Sequence, residues 1–226
     1  MSRYTWLLDP GHGGIIDGVY QTAGKRSPSF PNGEVLYEGE FNRDIVRKIL
    51  TLCAGLKDDG TAYKVGGHPL WHPREVVAID AIDIVDSLED VSLRKRVAKA
   101  NTLHKEKKNC IYVSVHANAF GNGRDFNSAK GVCTFHHYKS TTGKRLAESL
   151  QEHLGDLTPL RDRGVRSNDS WANFYVLRKT HMPAVLSENG FMTNFDDATA
   201  LLDPLVRSQI AWAHYSMILE IEKNGL

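Results

Sequence analysis

The chain has 226 residues, 41% of them hydrophobic and 24% charged, and Lys+Arg 28 against Asp+Glu 27 leave a formal net charge of +1. That length favours one large domain over two small ones, and a balanced charge supplies no basic field for nucleic acid. No stretch approaches the roughly 18 uninterrupted apolar residues of a membrane span, which argues against membrane insertion. The opening "MSRYTWLLD" goes directly into a strand pattern with no charged and apolar leader, so no Sec signal is expected.

In chain order, "YTWLL" (4–8) predicts a first strand. It runs into "LLDPGHGG" (7–14), which sets one imidazole, His12, among glycines just past the strand. Phe41, Ile45, Ile49 and Cys53 then recur at spacing four with Val46 and Leu50 beside them, one buried helix face. "TAYKV" (61–65) predicts a second strand. A helix from Leu93 runs through Val97 and Ala100 to Leu103 with Ser92 as its N-cap. "CIYVSVHA" (110–117) is the most strand-like segment and reads as central. "GVCTFHHY" (131–138) is a further strand, followed by a helix from Thr141–Thr142 carrying Leu146, Leu150 and Leu154. "FYVLR" (174–178) and "PAVLSE" (183–188) predict two more strands, and a closing helix starts near Pro204. Strands alternating with helices argue for a single α/β domain over residues 1–226, a largely parallel twisted sheet flanked by helices. The loops 13–37, 66–92 and 118–130 are longer than connections need to be. Cys53, Cys110 and Cys133 form an odd set without C-x-x-C spacing and read as small buried side chains.

Several chemistries fail on spacing. "GHGGIIDG" is not G-x-G-x-x-G, and "GVYQTAGKR" (18–26) has one residue too many for a P-loop, with Arg26 where Ser or Thr must hold magnesium. There is no G-x-S-x-G elbow and no H-E-x-x-H helix. A different metal arrangement fits. Ligands of parallel α/β sheets gather at the carboxyl ends of the strands. His12 and His116 both stand at such ends, and a catalytic zinc site wants three N/O ligands and one open position. "LYEGEFN" offers Glu38 or Glu40 as the third, at a helix start where the dipole favours a carboxylate. Glu188 of "PAVLSENG" is placed to be a general base.

These segments resemble, from end to end, the zinc-dependent N-acetylmuramoyl-L-alanine amidases of the Amidase_3 family. The resemblance is carried by "LLDPGHGG", the Glu-x-x-x-Asn of "EGEFN", "VSLRKRVAKAN", "VSVHANA" and "RGVRSNDSWANFYVLRKTHMPAVLSENGFMTN". It implies a phosphorylase/hydrolase-like fold and one Zn²⁺ held by His12, Glu38 and His116, with Glu188 as the catalytic carboxylate. It also implies cleavage of the muramoyl–L-alanine amide of peptidoglycan, and the spacing to Asn42 favours Glu38 over Glu40. Asn118, Arg26 and Arg178 are candidate substrate contacts. On this reading the glycines beside His12 leave room for a metal and a glycopeptide. "VGGHPLWHPREVVAIDAID" departs from the family pattern and marks a subgroup-specific loop. A zinc peptidase acting within the stem peptide and a non-catalytic wall-binding module stay open as alternatives. So does a cytoplasmic structural or interaction protein. The missing leader suits a phage endolysin made in the cytoplasm and released by a holin, or a bacterial enzyme with a non-classical export route. Nothing in the sequence gives the oligomeric state.

Overall fold

The computed structural model describes residues 2–55, 64–65, 68–69, 78–169 and 172–226. The order begins with β1 (Thr5–Pro10), the short hairpin β2 (Ile15–Ile16) and β3 (Val19–Tyr20), and α1 (Glu38–Cys53). A second small hairpin, β4 (Lys64–Val65) and β5 (His68–Pro69), precedes β6 (Asp80–Asp83), α2 (Leu93–Lys107) and β7 (Cys110–Asn118). Then come β8 (Val132–His137), α3 (Thr141–Leu157), β9 (Asp162–Asn168) and α4 (Tyr175–Lys179). The chain closes with β10 (Ala184–Phe191), α5 (Phe195–Leu202) and α6 (Pro204–Asn224).

Six strands form one sheet in the order β6-β1-β7-β10-β8-β9. β6, β1, β7 and β10 run parallel, whereas β8 pairs antiparallel with β10 and parallel with β9. Side chains alternate across this sheet, so each strand feeds two cores. Leu8, Val113 and Val185 face α1, α3 and α6, while Leu7, Tyr112 and Leu186 face α2 and α4. The helix starts follow their caps. Ser92 Oγ accepts the Lys95 N–H, Ser140 Oγ accepts the Gly143 N–H at 2.9 Å, and Asp203 caps α6 ahead of Pro204. All three cysteines are buried and free. Among the described residues no helix is long and apolar enough to cross a membrane.

The single largely parallel sheet agrees with the sequence reading, but several elements differ. "FYVLR" is not a strand: all of it but Phe174 lies in the one-and-a-half-turn helix α4, Tyr175–Lys179. A five-residue apolar run cannot be assigned by periodicity, and adjacent Val176 and Leu177 are both buried, which suits one helical turn laid on β8 and β10. The backbone N–H of Phe174 is held by Asn168 Oδ1 at 2.6 Å, turning the chain before that helix. Of "TAYKV", only Lys64–Val65 is described, and it pairs with β5 outside the main sheet; residues 61–63 lie outside the described residues. Within the expected loop 66–92, residues 66–67 and 70–77 are likewise outside them, while "DAID" (80–83) is an edge strand beside β1. β9 and α5 were also invisible to the periodicity, because "DRGVRSN" is polar-rich and "FDDATALL" is only eight residues long.

Candidate metal centre

β1, β7 and β10 end on one rim, and the rim collects the chemistry. His12 follows β1 directly, with a left-handed backbone (φ 67°) that few non-glycine residues adopt. Glu38 opens α1 and is buried, and His116 lies near the end of β7. His12 Nε2 and His116 Nδ1 converge on the same carboxylate oxygen, Glu38 Oε1, at 3.2 and 3.1 Å. The two rings meet edge to face, centroids 5.3 Å apart. Ligands about 2.0–2.1 Å from a tetrahedral ion stand roughly 3.3 Å apart, so the two spacings match adjacent edges of one coordination tetrahedron. All three ligand atoms lie within 4.8 Å of one another. Burial by itself would raise the Glu38 carboxyl, but hydrogen bonds and charge from His116 and His12 hold it well below the usual carboxylate range. Two imidazoles and one ionised carboxylate, without a cysteine, fit one ion that prefers N/O ligands.

Glu188 pairs with His116 across β10 and β7. Its Oε2 is buried without a hydrogen-bond partner. Burial pushes its carboxyl up to about 7, with the charge of His116 opposing and that of Glu38 adding to the rise. Glu188 is not where its strand stops. β10 continues to Phe191 after a bulge between Glu188 and Phe191, and Asn189 Nδ2 spans the irregularity by donating to the His116 carbonyl at 2.9 Å.

The glycines have a different purpose from the one expected. A Cβ on Gly11 would fall 2.1 Å from Cε1 of His116, so the cleared space holds that ring, not a ligand. On the facing helix a Cβ at Gly39 would lie 1.8 Å from the Gly13 carbonyl oxygen, and only glycine permits α1 to approach the turn so closely. Asn42, one turn after Glu38, donates to the Gly11 carbonyl at 3.0 Å.

Arg96 fixes this turn from below. Its Nη1 meets Asp9 Oδ1 and the Pro10 carbonyl at 2.6 Å each, Nη2 donates to the His12 carbonyl at 3.0 Å and Nε to Val91 at 2.7 Å. Asp9 Oδ2 accepts from Tyr112 and Ser114. Burial opposes ionisation of Asp9, but the Arg96 charge and the Tyr112 hydroxyl hold its carboxyl below the usual value. Sequence reading missed Arg96, although its position one residue before Val97 and three after Leu93 puts a cation on the buried helix stripe.

The other candidates scatter. Glu40 accepts the Ile15 N–H at 2.9 Å and takes no part in the cluster. Asn118 is half-buried at the end of β7, with Oδ1 taken by the Ala119 N–H at 2.8 Å. Arg26 is exposed and bridges Tyr37 through its backbone, close to the α1 start. Arg178 is exposed on α4, over the Tyr175 ring and beside His137, at the end of the sheet opposite the rim. The structure does not bring it to Glu188. Lys25 was missed: its carbonyl accepts the Glu38 N–H at 3.0 Å and its charge acts on Glu188.

A mostly parallel α/β sheet with a His–Glu–His cluster that could hold a metal ion, beside an unpartnered carboxylate, defines the class of this α/β domain. The family pattern described as N-acetylmuramoyl-L-alanine amidase, Amidase_3, matches residues 7–220, and the chain belongs to that family. It is 30% identical over 213 residues to the N-acetylmuramoyl-L-alanine amidase LytC of Bacillus subtilis, covering 92% of this chain and 34% of LytC. It is 29% identical to the endolysin of Bacillus phage SPP1 over 98% of this chain and 66% of the endolysin. The chain thus spans about a third of the length of LytC. Among solved structures, the N-acetylmuramoyl-L-alanine amidase of Clostridium difficile 630 superposes with a TM-score of 0.71 at 25% identity, covering 99% of both chains.

Arg96→Met leaves Asp9 buried without its cation and should cost about 3–5 kcal/mol of stability, read by denaturant unfolding. In the wild type, the stability tied to Asp9 is complete above its unfolded pKa of about 3.9 and is lost as the pH falls through its lower folded value. An Arg96→Met protein as stable as wild type at pH 7 would contradict the role given to the pair. Gly11→Ala should displace the His116 ring and lower metal affinity about 10- to 100-fold while the far-ultraviolet circular dichroism is unchanged. Unaltered metal binding in that variant would show that the ring does not depend on this space.

Proposed function

We propose that the chain hydrolyses the amide joining the lactyl group of N-acetylmuramic acid to L-alanine of the peptidoglycan stem peptide, with one Zn²⁺ held by His12, Glu38 and His116. The observation that carries this reading is Glu188 Oε2, buried, unpartnered and one strand from His116, in a chain of the Amidase_3 family. When bound at such a centre, zinc lowers the pKa of water from 15.7 to about 7 and polarises a carbonyl. Glu188 takes the proton of the attacking water, the carbon–oxygen bond forms, the carbon–nitrogen bond breaks, and Glu188 returns the proton to the departing amine of L-alanine. Burial keeps the base weakly solvated and its proton affinity near neutrality. Arg26 and Asn118 are the contacts best placed to orient the glycopeptide, since both lie at the rim. The relatives named amidase and endolysin favour the cell wall as the place of action. Synthesis in the cytoplasm followed by release through a holin or a non-classical route is the accompanying proposal.

Glu188→Gln should retain zinc and fold while the rate drops about 10²- to 10⁴-fold, the contribution of general acid–base catalysis, or about 3–5.5 kcal/mol. Near wild-type turnover of purified peptidoglycan would remove Glu188 from the chemistry, and loss of zinc would make it a ligand. For the wild type, kcat/KM should rise with pH along a limb at or below about 7, because the base acts ionised and a bound cation pulls its pKa down from the metal-free value. Elemental analysis separates the two glutamates: Glu38→Ala should lose zinc and Glu40→Ala keep it, and the reverse pattern would overturn the ligand assignment.

A further inference from the structure

The rim side chains continue past Glu188 in a row across the sheet. Glu188 pairs with His116 on one side and with Cys133 of β8 on the other. β9 comes next. Its register passes from Val132↔Asp162 to Thr134↔Val165, so Arg163 and Gly164 together stand opposite the single residue Cys133. This is a bulge, and Gly164 supplies the left-handed backbone it needs (φ 74°). Arg166, paired with Phe135, points to the same face and hydrogen-bonds the Cys133 thiol.

Both arginines are half-buried, and neither forms an ion pair among the described residues. Arg163 donates through Nη1 to the Lys130 carbonyl at 3.1 Å and lies over the Phe191 ring at 5.0 Å, while its Nε is buried with no partner. Two half-buried guanidiniums without a counter-ion are poorly compensated, and a ligand carboxylate would supply what is missing with charge-assisted bonds. Cys133 between them is an inert floor, since burial pushes its thiol up to about 12. Two strand spacings of about 4.8 Å separate β10 from β9, so the backbone that carries the two arginines stands roughly 10 Å from that of Glu188. That is about three residues of extended peptide.

We propose that Arg163 and Arg166 form an anion subsite for a carboxylate of the stem peptide, about three residues from the bond cleaved beside Glu188. The inference rests on the amidase reading above and adds a substrate requirement: the enzyme prefers an acidic peptide, presented across β8. Neither residue touches the reacting atoms. Both set affinity and orientation.

Calorimetric binding of two muramoyl peptides tests this, one with free carboxylates and one with every carboxylate amidated. Wild type should bind the acidic peptide about 10- to 100-fold more tightly, the range of hydrogen bonds to charged groups. The R163Q/R166Q double variant should lose that preference and bind the amidated peptide as wild type does. In turnover, its KM for the acidic peptide should rise by a similar factor with kcat nearly unchanged. Wild type without a preference, a variant that keeps it, or an equal loss for both peptides would overturn the subsite. If the double variant does not fold, the single variants R163Q and R166Q decide on the same criterion. Products identify the bond cut: carboxylate preference with cleavage elsewhere would overturn the amidase reading and leave the subsite standing.

Discussion

Arg96 carries its guanidinium into the interior, where Asp9 neutralises it and three backbone carbonyls, those of Pro10, His12 and Val91, accept its N–H groups. The first two lie where β1 ends and the chain turns out of the sheet, and the third lies just ahead of α2. His12 in that turn has a left-handed backbone, a conformation that costs an L-residue roughly 1–2 kcal/mol. Removing one partner of a buried ion pair leaves the other charge uncompensated at a cost of about 3–5 kcal/mol, so neither Arg96 nor Asp9 can be lost singly without disturbing the turn. Because Asp9 is also bonded to Tyr112 and Ser114, the same contact ties the turn to β7, the strand that carries His116. The spacing between the two imidazoles is therefore set by one polar contact beneath them.

Glu38 and Glu188 are held by comparable means. Glycines at positions 11 and 39 let the His116 ring and the start of α1 approach the turn to van der Waals limits, and Asn42 then binds the Gly11 carbonyl. On the far side, the bulge in β10 is bridged by Asn189, which also donates to Ser187 Oγ at 3.0 Å. The Ser187 hydroxyl is 2.9 Å from His214 Nε2 on α6, while the other nitrogen of that ring faces the Ile210 carbonyl. Burial brings the His214 pKa down to about 4, so the ring is neutral and one nitrogen is free to accept the Ser187 proton. Hydrogen bonds thus run outward from Asn189, on one side to the backbone carbonyl of His116 beside Glu188 and on the other through Ser187 and His214 to the Ile210 carbonyl of α6. Rigid support from both sides suits the proposed metal centre, which would hold its ligands with one position open.

Much of this was legible in the sequence, and the failures have physical causes. His12, His116 and Glu188 follow long β-branched or aliphatic runs, and such runs announce a sheet rim whatever the family. Glu38 was separated from Glu40 only through the family resemblance, by its spacing to Asn42. Arg96 looked like any solvated helix charge, because its partner Asp9 lies 87 residues away in sequence. The glycines of "GHGG" signalled close approach, but the approaching group, the His116 ring, is equally remote, so the space was credited to a ligand. β6 and β9 are the two edges of the sheet, and their polar residues blur the apolar pattern that marks the buried strands. α4 shows the limit of periodicity: five residues of "YVLRK" suit a strand or a helical turn, and only the packing on β8 and β10 decides.

The central proposal is that a water activated at this rim cuts an amide whose departing group is the amine of L-alanine. Mass spectrometry of a defined muramoyl peptide after digestion by the zinc-loaded wild-type protein tests it most directly. The predicted products are an intact muramic acid ending in its lactyl carboxylate and a peptide with a free amino-terminal L-alanine. Cleavage between two amino acids of the stem peptide, or an uncut substrate with stoichiometric zinc bound, would contradict it.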